Sequence, residues 1–192
     1  ISSIVEDTYY LWLKFMDQIE DQNFISVVGG VFVTYYPQIF DGQVDYICRG
    51  EGDEVIPELM DLISDNKDGH HLANIYPNDM RPAINVNTLP STDHEIFDKR
   101  SLYRPFQGRI IKIATVETQR GCPFRCKFCN SPSNARLYKE ETDSLFFRQR
   151  SVEHIEREIQ HLIKTIDVEF LWIVTDTLLT TSKKKFDDFC DM

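Results

Sequence analysis

Residues 110–129, IIKIATVETQRGCPFRCKFC, hold the pattern that decides both the fold and the chemistry expected of this chain. Residues 110–116 are apolar and β-branched for the most part, which predicts a buried β-strand. Three cysteines follow this strand with the spacing C-x3-C-x2-C, at Cys122, Cys126 and Cys129. Because α/β proteins build their sites where strands end, the sequence predicts a functional site in this loop.

Three thiolates this close in sequence can bind one metal centre, and thiolates suit either an iron–sulfur cluster or zinc. A structural zinc site has four protein ligands. The fourth would have to be Cys48, Cys190 or a histidine, and none of these lies at a typical zinc-ligand spacing. Three thiolates on a four-iron cluster instead leave one iron open to another ligand. The spacing therefore favours a cluster and keeps zinc as the alternative.

The stretch TQRGCPFRCKFC at 118–129 resembles the signature loop of the radical S-adenosylmethionine (radical SAM) superfamily. The shared features are RGCP, the three cysteines and an aromatic residue just before the third. The resemblance implies that Cys122, Cys126 and Cys129 bind three irons of a [4Fe–4S] cluster. It also implies that the fourth iron binds the amino and carboxylate groups of SAM, and that Phe128 lies near its adenine.

Two flanking segments also resemble this superfamily. Residues 147–155, FRQRSVEHI, resemble the beginning of the first barrel helix. Residues 168–177, VEFLWIVTDT, resemble the second barrel strand, where the family often has two adjacent acids and this chain keeps only Asp176. The resemblance implies that Asp176 lies at or near SAM. A solvated acid at the end of a strand is the alternative.

The first half of the chain carries two glycine motifs, VVGGVF at 27–32 and VDYICRGEGDE at 44–54. In this order, ahead of the cysteine loop, they resemble the cobalamin-binding domain that precedes many radical SAM enzymes. The resemblance implies that the turns line a pocket for the cobalamin nucleotide tail, with the residues Gly29, Gly30, Gly50, Glu51 and Gly52. The loop Asp-x-His-x-x-Gly, which supplies a cobalt ligand in some of these domains, is absent from the sequence. Cobalamin binding is therefore left open.

Elsewhere the apolar pattern alternates strands with helices, which is typical of a parallel α/β sheet. It predicts helices at 8–20, 53–64, 151–165 and from 183 onward, the second and third capped by Asp53 and Ser151, and strands at 24–28, 44–48 and 168–174. With the resemblance, we expect an α/β protein in three parts. These are a partial flavodoxin-like (Rossmann-type) cobalamin-binding domain at 1–66, a linker with one or two small strands at 67–108, and the first part of a radical SAM partial (β/α) barrel at 109–192.

Composition argues against several classes of protein. The 192 residues are 42% hydrophobic, enough for a substantial core, and their net charge of −10 argues against nonspecific nucleic-acid binding. No apolar run approaches the roughly 20 residues of a membrane helix, and no signal peptide opens the chain. Of five cysteines, three are clustered, which suits a reducing compartment and predicts a cytoplasmic protein.

The resemblance predicts a radical SAM enzyme acting on a small-molecule substrate that the sequence does not identify. An electron from a reductant such as flavodoxin or ferredoxin would cleave SAM to methionine and a 5′-deoxyadenosyl radical. Bound cobalamin would add methyl transfer or a rearrangement. The chain begins at Ile1 and stops within an amphipathic segment at 186–192, which suggests a piece of a longer protein. A truncated, noncatalytic iron–sulfur or zinc module is the alternative.

Several other residues are expected to have no role in a site. Cys48 lies in an apolar strand and is expected to be a core residue, while Cys190 is expected to be an ordinary helix residue. His154 and His161 are expected on the solvent face of the helix that follows the cysteine loop.

Overall fold

The computed structural model describes residues 2–19 and 24–192. The chain divides into two compact units, Ile1–Ile84 with Glu141–Asp143, and Asn85–Glu140 with Ser144–Met192. Among the described residues, no helix has both the length and the apolar character needed to cross a membrane.

A three-stranded parallel sheet forms the centre of the first unit, with strand order β1-β2-β3. Its strands are β1 (Ser2–Ser3), β2 (Val27–Gly29) and β3 (Tyr46–Ile47), and its helices are α1 (Tyr9–Ile19), α2 (Val31–Tyr35) and α3 (Val55–Ser64). The strands predicted at 24–28 and 44–48 are present but shorter. The helix predicted at 8–20 is present as α1, and its last predicted residue lies outside the described residues.

Helices cover both faces of this sheet, as parallel sheets require. Successive strand residues point to opposite faces. Val27 and Tyr46 therefore pack in one apolar cluster with Val55 and Leu59 of α3. Val28 and Ile47 pack in a second cluster, together with Ile4, Trp12, Val33 and Phe40.

The predicted cap of α3 was wrong. The helix begins at Val55, and its N-cap residue is Glu54, which already has helical dihedral angles and makes no capping hydrogen bond through its side chain. The Ile56 backbone N–H donates to the Gly52 oxygen, so helical hydrogen bonding starts one residue before the predicted cap. Asp53 therefore precedes the N-cap residue and does not cap the helix.

A βαβ unit forms the centre of the second unit. Strand β5 (Arg109–Glu117) pairs in parallel with β8 (Phe170–Val174), and β4 (Tyr103–Phe106) pairs antiparallel on the other side of β5. The connection between β5 and β8 contains α4 (Ser131–Thr142), α5 (Val152–Ile166) and a small antiparallel pair, β6 (Gln119–Arg120) with β7 (Arg148–Gln149); α6 (Lys183–Cys190) follows β8. The core holds Ala114, Val116, Ile155 and Leu162.

The predicted elements of this unit are confirmed. The strands predicted at 110–116 and 168–174 are β5 and β8, and Ser151 is the N-cap residue of α5, where its hydroxyl accepts a 3.1 Å hydrogen bond from the His154 backbone N–H. Strand β4 is one of the small strands expected in the predicted linker. The sequence did not predict α4.

The expectation that His154 faces solvent was wrong. His154 is only 8% exposed, because the segment that holds Leu89 and Thr92 packs on the first turns of α5. The Arg150 Nε donates to His154 Nδ1 at 2.9 Å, which leaves His154 Nε2 to donate to the Leu89 oxygen at 3.0 Å. Arg150 also forms a 2.5 Å ion pair with Glu158, and both side chains are almost completely buried. We call these three side chains the buried α5 network.

Candidate functional site

The cysteine loop lies at the carboxyl end of β5, as predicted. The chain passes from β5 through β6 into the loop at 121–130, and α4 begins directly afterwards at Ser131. Asp176 lies two residues beyond the end of β8. Because β5 and β8 are parallel neighbours, their carboxyl ends lie at the same edge of the sheet. Two distant parts of the sequence thus meet there.

A cleft of about 460 Å³ opens at this edge. The residues that line it include Glu117, Arg120, Gly121, Cys129, Ser131 and Asp176. Of the predicted site residues, the cleft thus brings together Cys129 and Asp176. Phe128 is not among its lining residues and has 94% of its surface exposed. Its contact with adenine stays a prediction.

All three cysteines of the loop are free thiols. Cys122 is partly exposed, and Cys126 and Cys129 are exposed. Across residues 2–19 and 24–192, no group of three or more His, Cys, Asp or Glu side chains is already gathered to hold a metal ion. The donor set nevertheless fits a cluster chemically, since three accessible thiols lie within eight residues and one of them, Cys129, lines the open cleft.

Gly121 forms the turn that leads into the loop. Its φ angle is +78°, a conformation that favours glycine. A Cβ atom at this position would lie 2.8 Å from both the backbone oxygen and the Cδ1 atom of Phe146. The backbone at Gly121 therefore lies directly against residue 146, and this contact fixes where the cysteine loop begins.

We expect Gly121→Ala to destabilise the protein more than the matched change Gly108→Ala. Both positions have positive φ, which costs an alanine about 1–2 kcal/mol. Gly108 has open space around the missing Cβ, whereas alanine at Gly121 must displace Phe146, for about 1–3 kcal/mol more. Urea unfolding of the two variants measures the difference. Equal midpoints would contradict the contact with Phe146.

Residues that the motif did not identify also line the cleft. Glu117 and Arg120 form an ion pair at 2.9 Å, at the end of β5 and in β6. Ser131 donates from its hydroxyl to Asp176 Oδ2 at 3.3 Å, and from its backbone N–H to Cys129 Sγ at 3.5 Å. The only signal in the sequence was position, since Glu117 precedes the loop and Ser131 follows the third cysteine, Cys129, by two residues.

The glycine turns of the first unit also share one sheet edge. Gly29 ends β2, Gly30 follows with a φ of +104°, and residues 50–52 come shortly after β3. Thr34 joins the two turns, because its hydroxyl donates to the Gly30 oxygen at 2.8 Å and accepts from the Gly50 N–H at 2.9 Å. Sequence reasoning did not identify Thr34.

Glu51 and Gly52 have contacts that already serve the fold. The Glu51 carboxylate accepts a 2.9 Å hydrogen bond from the Ile84 backbone N–H. A Cβ atom on Gly52 would approach Ile56 Cγ1 to 3.0 Å, so glycine fits the close approach of α3. A role for these residues in binding cobalamin stays a prediction.

Cys48 is buried in the first unit, as expected of a core residue. Burial raises the pKa of its thiol to about 11, although the positive charge of Arg81 acts in the opposite direction. The thiol is therefore protonated at neutral pH, and a protonated thiol is a poor metal ligand. Cys190 is exposed near the end of α6.

Curated relatives match nearly the whole chain, although no protein-family profile matches it. An anaerobic magnesium-protoporphyrin IX monomethyl ester cyclase of Rubrivivax gelatinosus is 27% identical over 186 residues, which cover 87% of this chain and 31% of the relative. A bacteriochlorophyllide d C-8(2)-methyltransferase of Chlorobaculum tepidum is 25% identical, and the match covers 92% of this chain and 37% of the relative. An uncharacterized methyltransferase of Pyrococcus horikoshii is 26% identical, and the match covers 87% of this chain and 36% of the relative. The chain thus spans about a third of the length of these relatives.

A solved structure shares the fold. It is the radical SAM methyltransferase TsrM from Kitasatospora setae, with cobalamin and a [4Fe–4S] cluster bound, and it matches with a TM-score of 0.53 and 16% identity. The match covers 88% of this chain and 34% of that one. The match shows that the two chains share a mixed α/β fold, and it agrees with the resemblance to radical SAM proteins that the cysteine loop carries.

Proposed function

We propose that this chain is part of a radical SAM enzyme in which Cys122, Cys126 and Cys129 bind a [4Fe–4S] cluster. The observation that carries the proposal is the C-x3-C-x2-C loop at the common edge of β5 and β8, beside a cleft of about 460 Å³. When bound, the cluster supplies the electron that cleaves SAM to methionine and a 5′-deoxyadenosyl radical. The similarity to named cyclases and methyltransferases supports the same assignment.

The chain's own residues would bind and orient SAM at this edge. Cys122, Cys126 and Cys129 would hold three irons, which would leave the fourth iron available to the amino and carboxylate groups of SAM. Phe128 is proposed to contact the adenine, and Asp176 to lie beside the bound molecule.

We further propose that the first unit is part of a flavodoxin-like cobalamin-binding domain and the second is the first part of a partial (β/α) barrel. The proposed ranges are 1–66 and 109–192, joined at 67–108. The glycine turns at the ends of β2 and β3 would line the cobalamin pocket, through Gly29, Gly30, Gly50, Glu51 and Gly52. Supporting this are the parallel order of these strands and the cobalamin bound in TsrM. Methyl transfer or a rearrangement would follow, with cobalamin as the cofactor.

The partners of this enzyme are part of the proposal. The substrate is a small molecule, and the electron donor is a small redox protein such as flavodoxin or ferredoxin. A cytoplasmic location agrees with the need to keep three accessible thiols reduced.

Anaerobic reconstitution with iron and sulfide tests the proposed function. We expect a brown protein with close to four irons per chain, the content of a [4Fe–4S] cluster, and a reduced-state electron paramagnetic resonance (EPR) signal that SAM perturbs. Phe128→Ala should keep the iron, because an almost fully exposed side chain contributes little to folding. It should weaken the effect of SAM on the signal, because Phe128 is proposed to contact the adenine. Stoichiometric zinc without iron uptake would favour the zinc module. A cluster whose signal ignores saturating SAM would favour a structural or electron-transfer cluster.

A further inference from the structure

The first turn of α4 lies against the third cysteine of the loop. The Ser131 backbone N–H donates to Cys129 Sγ at 3.5 Å. Ser131 is the first residue of this 12-residue helix and is only 8% exposed. Its N–H group has no partner within the helix, because the first four N–H groups of any helix lack one. The thiol of Cys129 is therefore the acceptor of an otherwise unused donor.

A residue just beyond the neighbouring strand β8 holds Ser131 in this place. The Ser131 hydroxyl donates to Asp176 Oδ2 at 3.3 Å, and Asp176 follows β8, whereas the cysteine loop follows β5. The contact spans 45 positions in the sequence. Asp176 thus ties the start of α4 to the neighbouring strand, and this fixes the direction of the N–H group beside Cys129.

We infer that Asp176 and Ser131 are positioning residues that hold a backbone N–H on the Cys129 sulfur and thereby raise the reduction potential of the cluster. This inference rests on the proposed function and deepens it. A reduced cluster carries one more negative charge than an oxidised one, so a donor at a ligating sulfur stabilises the reduced form more. The partial positive charge at the start of α4 acts in the same direction.

This role differs from the contact with SAM that the resemblance gives to Asp176. Hydrogen bonds from outside the ligand set orient metal ligands and tune the metal centre. Here Asp176 would act through Ser131, which donates its hydroxyl to Asp176 and its backbone N–H to the Cys129 sulfur. The potential should therefore respond to changes at Ser131 and Asp176 even when SAM is absent.

The first test compares Ser131→Pro with Ser131→Ala in the full chain. Proline removes the N–H and is tolerated at the first position of a helix, whereas alanine keeps the N–H and removes only the hydroxyl. We expect proline to lower the potential of the reconstituted cluster by about 59 mV, a tenfold change in the one-electron equilibrium, and alanine to lower it less. A titration with titanium(III) citrate, followed by EPR without SAM, measures both.

The second test compares Asp176→Ala with Asp176→Asn and does not require a new proline. Both changes remove the carboxylate charge, but asparagine keeps an oxygen that can accept from the Ser131 hydroxyl. We expect a lower potential for the alanine variant than for the asparagine variant. If Ser131→Pro does not retain iron, this pair decides the question.

Equal potentials within each pair, in proteins with full iron content, would overturn the inference and leave the proposed function standing. Failure of the unmodified chain to take up any cluster would overturn the proposed function, and the inference with it.

Discussion

Alanine in place of any one of Cys122, Cys126 and Cys129 is expected to abolish iron uptake, from close to four irons per chain to almost none. Each thiolate is proposed to hold one iron, and the described residues contain no other group of three His, Cys, Asp or Glu side chains that could replace this ligand set. An iron without its thiolate is open to water and is lost from the cluster. Iron and sulfide counts and the visible absorption after anaerobic reconstitution measure the effect.

Two other cysteines serve as matched controls. Cys190→Ala removes an exposed thiol, and Cys48→Ala removes a buried thiol that is protonated at neutral pH. Both variants should bind as much iron as the unmodified chain. Loss of iron in Cys48→Ala, with the fold intact by circular dichroism, would show that the ligand set is wrong.

The parts of the fold that sequence predicted well have strong local signals. Strand β5 is a β-branched run, and α5 combines a serine N-cap with apolar residues on one side of the helix. Helix α4 lacks such a signal, because its sequence is mostly polar and shows no apolar residues repeated along one side. Its place is determined by contacts such as that of Ser131 with Asp176, which no local pattern reports.

In the candidate site too, the sequence predicted what local spacing determines and missed the contacts that depend on sheet pairing. Spacing alone predicted the three cysteines as candidate ligands, because ligands that are close in sequence can be recognised without knowledge of the fold. The contact between Asp176 and Ser131 required knowing that β5 and β8 are parallel neighbours. In the first unit, Thr34 was missed for the same reason, because it joins two glycine turns that only sheet pairing brings together.

His154 was predicted wrongly because helical periodicity describes only one surface of α5. The apolar residues of α5 pack on β5, but the segment with Leu89 and Thr92 covers a second, polar side of the helix. This segment buries the polar residues on that side and also supplies hydrogen-bond partners for them. The resemblance assigned residues 147–155 to the start of a barrel helix, and the structure adds that Arg150 and His154 hold that start in place.

The same network gives the largest expected effect on stability. Glu158→Gln should lower the free energy of unfolding by about 3–5 kcal/mol, because it leaves the Arg150 guanidinium buried without a countercharge. Glu158 also accepts hydrogen bonds from the backbone N–H and hydroxyl of Thr92 at 3.1 and 2.9 Å. The matched control is Glu156→Gln on the same helix, whose carboxylate makes an exposed contact with Gln160 and should cost less than about 0.5 kcal/mol. Urea unfolding measures both.

The effect of Glu158→Gln should also depend on pH. Burial alone would raise the pKa of Glu158, but the hydrogen bonds from Thr92 and Arg150 outweigh it and hold this pKa below its usual value of 4.5. A carboxyl whose pKa is lower in the folded than in the unfolded state stabilises the fold fully above the unfolded pKa, and this contribution is lost as pH falls through the folded value. The difference in stability between the unmodified chain and Glu158→Gln should therefore be constant near neutral pH and shrink in acid below about pH 4.5. A difference that stays constant down to the acid-unfolding limit would mean that Glu158 does not stabilise the fold as the ionised partner of Arg150.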